Sequence, residues 1–171
     1  KSMAADLGEK AICIILSGTA TDGTLGLGAI KGGGGIAMVQ TPDSAKYDGM
    51  PRSAIATGIV DFILPVNKLP GELIKYIETP YIRAVKKPKT PDDKFSEYLQ
   101  TIFALIRHTV GHDLSHYKQT TIRRRIERRL AVHQITKISD YVKFLETNVA
   151  EVEILFKDML IGVTNFFRDP E

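Results

Sequence analysis

The chain has 171 residues, 43% of them apolar, and a formal net charge of +3, enough core material for one domain or two small ones. It is neither a disordered tail nor a disulfide miniature, and its longest unbroken apolar run, residues 11–16, falls far short of the roughly 20 residues a membrane-spanning helix needs. The single cysteine, Cys13, has no intrachain partner and no basic-then-apolar leader opens the chain, so a reducing cytoplasm is the expected compartment.

In chain order, the apolar run Ile12 to Leu16 has strand length and leads into a glycine-containing turn, followed by a helical segment from Thr24 to Lys31. A second short strand, Ile36 to Val39, follows four consecutive glycines. Strand, turn, helix and strand in this order predict a parallel α/β sheet, because parallel strands are buried on both faces and read as unbroken apolar runs. Pro51 suits the first turn of a short helix, Val60 to Leu64 reads as a further strand, and Pro70 opens a last helix with Leu73, Ile74 and Ile77 on one face. The series has the form of the closing half of a doubly wound domain. Three short strands make a poor independent sheet, so the chain is expected to start inside a domain or to borrow a second copy that completes the sheet.

Residues 79–93 carry prolines and lysines without periodicity and predict a linker. It separates an α/β segment, residues 1–78, from a segment of different character, residues 94–171. Twelve of the fourteen glycines lie before it. After it, apolar residues recur at helical spacing: Phe95, Leu99, Ile102 and Ile106; Ile122, Ile126 and Leu130; Tyr141, Phe144 and Leu145; and Val152, Leu155, Phe156, Met159 and Leu160. Four amphipathic helices in an all-α unit are expected. Ser139 is placed to cap the third, and Asn148 with Glu151 reads as a capping box opening the fourth.

Four features carry candidate chemistry. Asp22 lies in the turn at residues 17–24, at the carboxyl end of the first strand, where open α/β sheets place functional loops. It reads either as a turn-capping aspartate beside Gly23 or as a carboxylate that orients a catalytic histidine. The nearest histidine in sequence is His108, so a catalytic role requires partners from elsewhere. The glycine-rich stretch matches neither a P-loop nor the dinucleotide fingerprint, which argues against nucleotide binding. His108, His112 and His116 have the spacing of metal ligands on a continuous helix, but Gly111 argues against continuity and no metal is expected. Residues 118–129 hold six cations against Glu127 alone. A solvated helix face would mix acids with bases, so Arg124, Arg125, Arg128 and Arg129 are expected on exposed faces that dock an acidic partner. Protein is favoured over nucleic acid, since interleaved aromatics are missing. At residues 162–171, Thr164 and Arg168 read locally as a turn cap and a pair with Asp169.

Taken together the motifs resemble two chemotaxis enzymes. The sequences IleLeuSerGlyThrAlaThrAspGlyThrLeuGlyLeu, GlyMetProArgSerAlaIle and ValAspPheIleLeuPro resemble the C-terminal part of the CheB-type protein-glutamate methylesterase domain. That resemblance implies that Asp22 is the third member of a Ser-His-Asp triad, with Thr19 and Met50 near the site and the serine and histidine in an upstream half. The sequences GlyHisAspLeuSerHisTyrLysGlnThrThrIleArgArgArgIleGluArgArgLeu and ValThrAsnPhePheArgAsp resemble the N-terminal helical domain of CheR-type receptor methyltransferases. It implies that the arginine helix faces the acidic methylation region of a chemoreceptor and that Thr164 and Arg168 contact S-adenosylmethionine. Most cofactor contacts would lie in a following catalytic domain, so this chain is expected to bind the cofactor weakly or not at all. The implied whole is a methylesterase–methyltransferase fusion that sets chemoreceptor glutamate methylation, with this segment inactive. The rival reading is a non-enzymatic module whose arginine helix grips an acidic protein or RNA.

Overall fold

The computed structural model describes residues 2–79, 82, 93–114 and 117–161. The chain divides into two compact units, Lys1–Leu73 with Asp158–Glu171, and Ile74–Lys157. Most of the expected linker lies outside the described residues. Among the described residues no helix is long and apolar enough to cross a membrane.

The first unit opens with α1 (Ser2–Leu7), a short helix without an apolar stripe and unanticipated by the sequence reading, and a 3-10 turn (Gly8–Lys10). Then come β1 (Ile12–Ile15), α2 (Thr24–Gly32), β2 (Ile36–Gln40), α3 (Gly49–Ala56), β3 (Phe62–Leu64) and α4 (Leu69–Glu78, grouping with the second unit from Ile74 on). The three strands form one parallel sheet in the order β1-β2-β3, with Ile12 beside Ile36 and Met38 beside Phe62. Parallel pairing demands a crossover between successive strands, and α2 and α3 provide them. Ile15, Leu27, Ala37, Val39 and Ala54 form the core under these helices, with Met50 and Cys13 packed against it. Burial pushes the Cys13 thiol pKa up, which suits a packing role.

The unbroken apolar runs forecast strands buried on both faces. All five residues of β2 are buried, whereas Ile14 and Leu16 are 43% and 44% exposed. β2 is flanked on both sides, while β1 is paired on one side only among the described residues. On α4 the expected apolar face is corrected: Leu69 and Tyr76 are buried, and Ile74 and Ile77 are 53% and 43% exposed. A buried ion pair locks the crossover. Lys31, near the end of α2, places Nζ 2.7 Å from Asp61 Oδ1 and 2.9 Å from Oδ2. Asp61 Oδ2 also accepts the Ala37 N–H of β2, and both ionic side chains are 1% exposed.

The second unit contains α5 (Asp93–Val110), α6 (Gln119–Val132), α7 (Ile138–Thr147) and α8 (Val149–Leu160, its last turn grouping with the first unit). On α5, Leu99, Ile102, Phe103 and Ile106 are buried in the i, i+3, i+4, i+7 pattern of a single stripe, and the helix packs against α7. It stops at Val110, ahead of Gly111, as the break in the histidine spacing anticipated. α6 begins at Gln119. Lys137, not Ser139, stands at the N-cap of α7. Asn148 does cap α8, with its Oδ1 accepting the Glu151 N–H at 3.2 Å. The reciprocal half of the box is absent because the Glu151 carboxylate is engaged elsewhere.

That engagement ties three helices together. Glu151 of α8 accepts Arg129 Nε at 2.7 Å and Tyr141 OH at 2.8 Å on Oε1, and Arg129 Nη2 at 2.6 Å on Oε2. His133 Nε2 lies 2.8 Å from the same Oε2. The same Nε2 lies 3.0 Å from Arg129 Nη2, so the imidazole stands between the guanidinium and the carboxylate. Burial disfavours the charged carboxylate, but the His133 and Arg129 hydrogen bonds and charges outweigh it and hold Glu151 at about 2, below its ordinary 4.5. Burial, reinforced by the negative Glu151, keeps the Tyr141 hydroxyl protonated well above its usual range.

Two outcomes are expected. A carboxyl group with a lowered folded-state pKa stabilises fully above its unfolded value and loses that contribution as pH falls. The helical unit should therefore lose about 3 kcal/mol between pH 4.5 and pH 2, measured by urea titrations followed by circular dichroism, and Glu151→Gln should lack this component. Lys31 Nζ also lies 3.0 Å from the buried Asp158 Oδ1, so Lys31→Met removes a cation shared by two buried carboxylates and should destabilise the α/β unit by about 3 kcal/mol in the same assay.

Candidate functional site

The first site is built at the carboxyl end of β1. After β1 the chain turns through residues 17–23 and enters α2, with Gly23 at φ 89° as its N-terminal neighbour. A side chain at this left-handed position would be strained, so Gly23 is a requirement of the turn. Asp22 is exposed and lines a cleft of about 350 Å³ together with Thr21, Gly23, Thr24, Leu25 and Ser53. Among the described residues no hydrogen bond or ion pair engages its carboxylate. A carboxylate presented to a cleft in this way can accept a hydrogen bond from an incoming donor.

The Gly-Met-Pro-Arg segment packs directly on the turn. The Met50 N–H donates to the Gly18 carbonyl at 3.0 Å, and the Gly18 N–H donates to the Tyr47 carbonyl at 2.9 Å. A Cβ at Gly49 would stand 2.7 Å from the Thr19 carbonyl oxygen, closer than any ordinary contact, so glycine is required for this approach. Thr19, Met50 and Asp22 are thus carried by one turn and the helix start seated on it.

Several polar residues that the sequence reading passed over hold the turn. Gln40, buried at the end of β2, accepts the Ser17 N–H on Oε1 at 3.0 Å and donates through Nε2 to the Ser44 carbonyl at 2.8 Å. The Ser17 hydroxyl lies between the Tyr47 N–H, which donates to it at 2.9 Å, and the Tyr47 carbonyl, 3.2 Å away. A glutamine closing an otherwise apolar strand is the one sequence feature that marks this latch, because a buried amide must find partners.

The arginine helix differs from its sequence expectation. Arg124 is exposed, but Arg125, Arg128 and Arg129 are only 2%, 4% and 2% exposed. The expected exposed cationic face is corrected accordingly. Arg129 has its balancing charge in Glu151, 22 positions further on, beyond the reach of any i, i+4 rule. Arg123 pairs with Glu127 at 2.9 Å and lies over the Phe95 ring, 4.4 Å from its centre. His112 stacks on Phe156 with ring centres 5.2 Å apart. Among the described residues no cluster of three metal-ligating side chains occurs. His116, Thr164 and Arg168 lie outside the described residues.

Comparison with known proteins matches two separate segments of the chain. Residues 1–73 match the family described as CheB methylesterase, and residues 97–160 match CheR methyltransferase, all-alpha domain. An uncharacterized 104.1 kDa protein in the hypE 3′ region of Rhodobacter capsulatus is 36% identical over 190 residues, covering 99% of this chain and 20% of that protein. A protein-glutamate methylesterase/protein-glutamine glutaminase of Pyrococcus horikoshii is 35% identical over 71 residues, 42% of this chain and 19% of that protein. The Thermotoga maritima CheB methylesterase catalytic domain aligns with a TM-score of 0.41 and 37% identity, covering 42% of this chain and 38% of that one. The chain spans about a fifth of the length of the curated relatives it matches. By these matches, residues 1–73 are similar to the CheB methylesterase family and residues 97–160 to the all-alpha domain of CheR methyltransferases.

Proposed function

We propose that this chain is the junction of a protein that controls chemoreceptor glutamate methylation, uniting parts of the enzyme that removes methyl esters and the enzyme that installs them. The observation that carries the reading is the succession of the two family segments in one polypeptide, the R. capsulatus protein spanning the same succession. Its physical logic is proximity. A linker of roughly 15 residues holds two activities on one substrate at an effective concentration of order millimolar.

In the esterase half, Asp22 is the acid of a Ser-His-Asp triad. Its role is to accept a hydrogen bond from the catalytic histidine, fix its tautomer and stabilise imidazolium as the serine attacks the ester. The exposed carboxylate on the cleft supports this assignment, with Thr19 and Met50 shaping the adjoining wall. Since the first histidine of the chain is His108, the serine and histidine of the triad come from another segment and the present chain does not hydrolyse esters. The exposed edge of β1, with Ile14 and Leu16 open to solvent, is suited to receive a further strand.

In the methyltransferase half, docking on the acidic receptor region falls to the exposed Arg124. Arg125, Arg128 and Arg129 are buried and present no comparable surface. S-adenosylmethionine is the methyl donor of this half, and the motif resemblance assigns Thr164 and Arg168 to it. The action takes place in the cytoplasm, where the receptor's methylated region lies.

Two measurements test this reading. The chain incubated with a receptor peptide bearing glutamyl methyl esters should release no methanol above background; a measurable rate refutes the account of the triad. Arg124→Glu should weaken capture of an acidic receptor peptide by about threefold in low salt, with the difference disappearing near 1 M salt where the Debye length is roughly 3 Å. Capture equal to that of the parent chain refutes the docking assignment.

A further inference from the structure

Helix α3 touches the Asp22 turn at both of its ends. At the near end the Met50 N–H donates to the Gly18 carbonyl. At the far end Ser53 Oγ lies 3.1 Å from Thr24 Oγ1. The direction of this second contact follows from proton counting. Thr24 Oγ1 is 2.8 Å from the Thr21 carbonyl oxygen, which can only accept. The single hydroxyl proton of Thr24 is therefore spent on Thr21, and Ser53 must donate to Thr24. The result is a directed chain, from the Ser53 hydroxyl to the Thr24 hydroxyl to the Thr21 carbonyl, that closes around Asp22. Between Thr21 and Thr24 the backbone adds a long Thr24 N–H to Thr21 carbonyl contact at 3.4 Å.

We infer that Ser53 is a positioning residue for Asp22: through Thr24 it clamps the Asp-Gly turn onto α3 and fixes where the Asp22 carboxylate meets the cleft. The inference rests on the esterase reading for its significance, but the clamp is a property of this chain alone. Ser53 lines the same cleft as Asp22, so the clamp acts at the wall where the carboxylate is presented. It also explains how an exposed carboxylate is held in place without any hydrogen bond of its own from the described residues.

The test uses the full 171-residue chain and needs no catalysis. The Leu27 N–H donates to the Gly23 carbonyl of the turn at 2.8 Å, so its hydrogen exchange reports how firmly the turn is seated. Ser53→Ala should accelerate Leu27 exchange about fivefold, the size expected for loss of one hydroxyl hydrogen bond. The Asp22 carboxyl carbon resonance should move in the same variant. Ser53→Thr, which keeps the hydroxyl, should restore both readings, while the Val39 N–H of the central strand exchanges equally in all three proteins and certifies that the fold is intact. Unchanged Leu27 exchange in Ser53→Ala, or no restoration in Ser53→Thr, overturns the clamp. The esterase reading fails separately, if Asp22→Asn in a longer, ester-hydrolysing form of the protein leaves hydrolysis intact; the exchange result does not depend on that outcome.

Discussion

The close seating of the α3 start on the turn after β1 is the constraint on which the site depends. Gly49 brings backbone against the Thr19 carbonyl with no room for a methyl group, and the Met50 N–H fastens to the Gly18 carbonyl. This contact joins two pieces of chain some 30 positions apart and delivers the Asp22 carboxylate to the rim of the parallel sheet. The remaining features of the α/β unit serve it. β2 is buried throughout as the central rail, Lys31 and Asp61 keep α2 at a fixed height over the sheet, and Gln40 holds the turn from below.

In the helical unit the corresponding part is played by one carboxylate. Glu151 receives donors from α6 and α7 while its own backbone N–H is capped by Asn148. A buried carboxylate is costly without donors, and here it has enough of them to lie far below its usual titration range. The arrangement gives the helices a specific register that apolar stripes alone leave loose, since such stripes slide past one another at small energetic cost. It also changes the meaning of the arginine cluster, part of which builds the interior while Arg124 faces the solvent.

Much of the architecture was legible in the sequence because it follows from local rules. Unbroken apolar runs marked β1 and β2, helical spacing marked α5 to α8, and Asn148 announced the start of α8. What escaped has a common cause, dependence on residues distant along the chain. Helix α1 has no apolar periodicity and gains its shelter by packing on α2. Arg129 looked solvated because its partner lies 22 positions ahead. Ile74 and Ile77 looked buried because spacing cannot tell an apolar face with a cover from one without. For the site, the Asp-Gly turn was visible as a motif, whereas the Gln40 latch and the Ser53 hydroxyl were not, since each needs two strands or helices already in place.

The free side of β1 has a practical meaning. Along it run backbone donors and acceptors that no neighbouring strand among the described residues takes up, next to the exposed Ile14 and Leu16. Such a rim is a template on which other chains add strands. Kept apart from a natural cover, this polypeptide is thus prone to grow edge to edge into oligomers as its concentration rises, and a lysine introduced at position 14 would be the simplest guard against it.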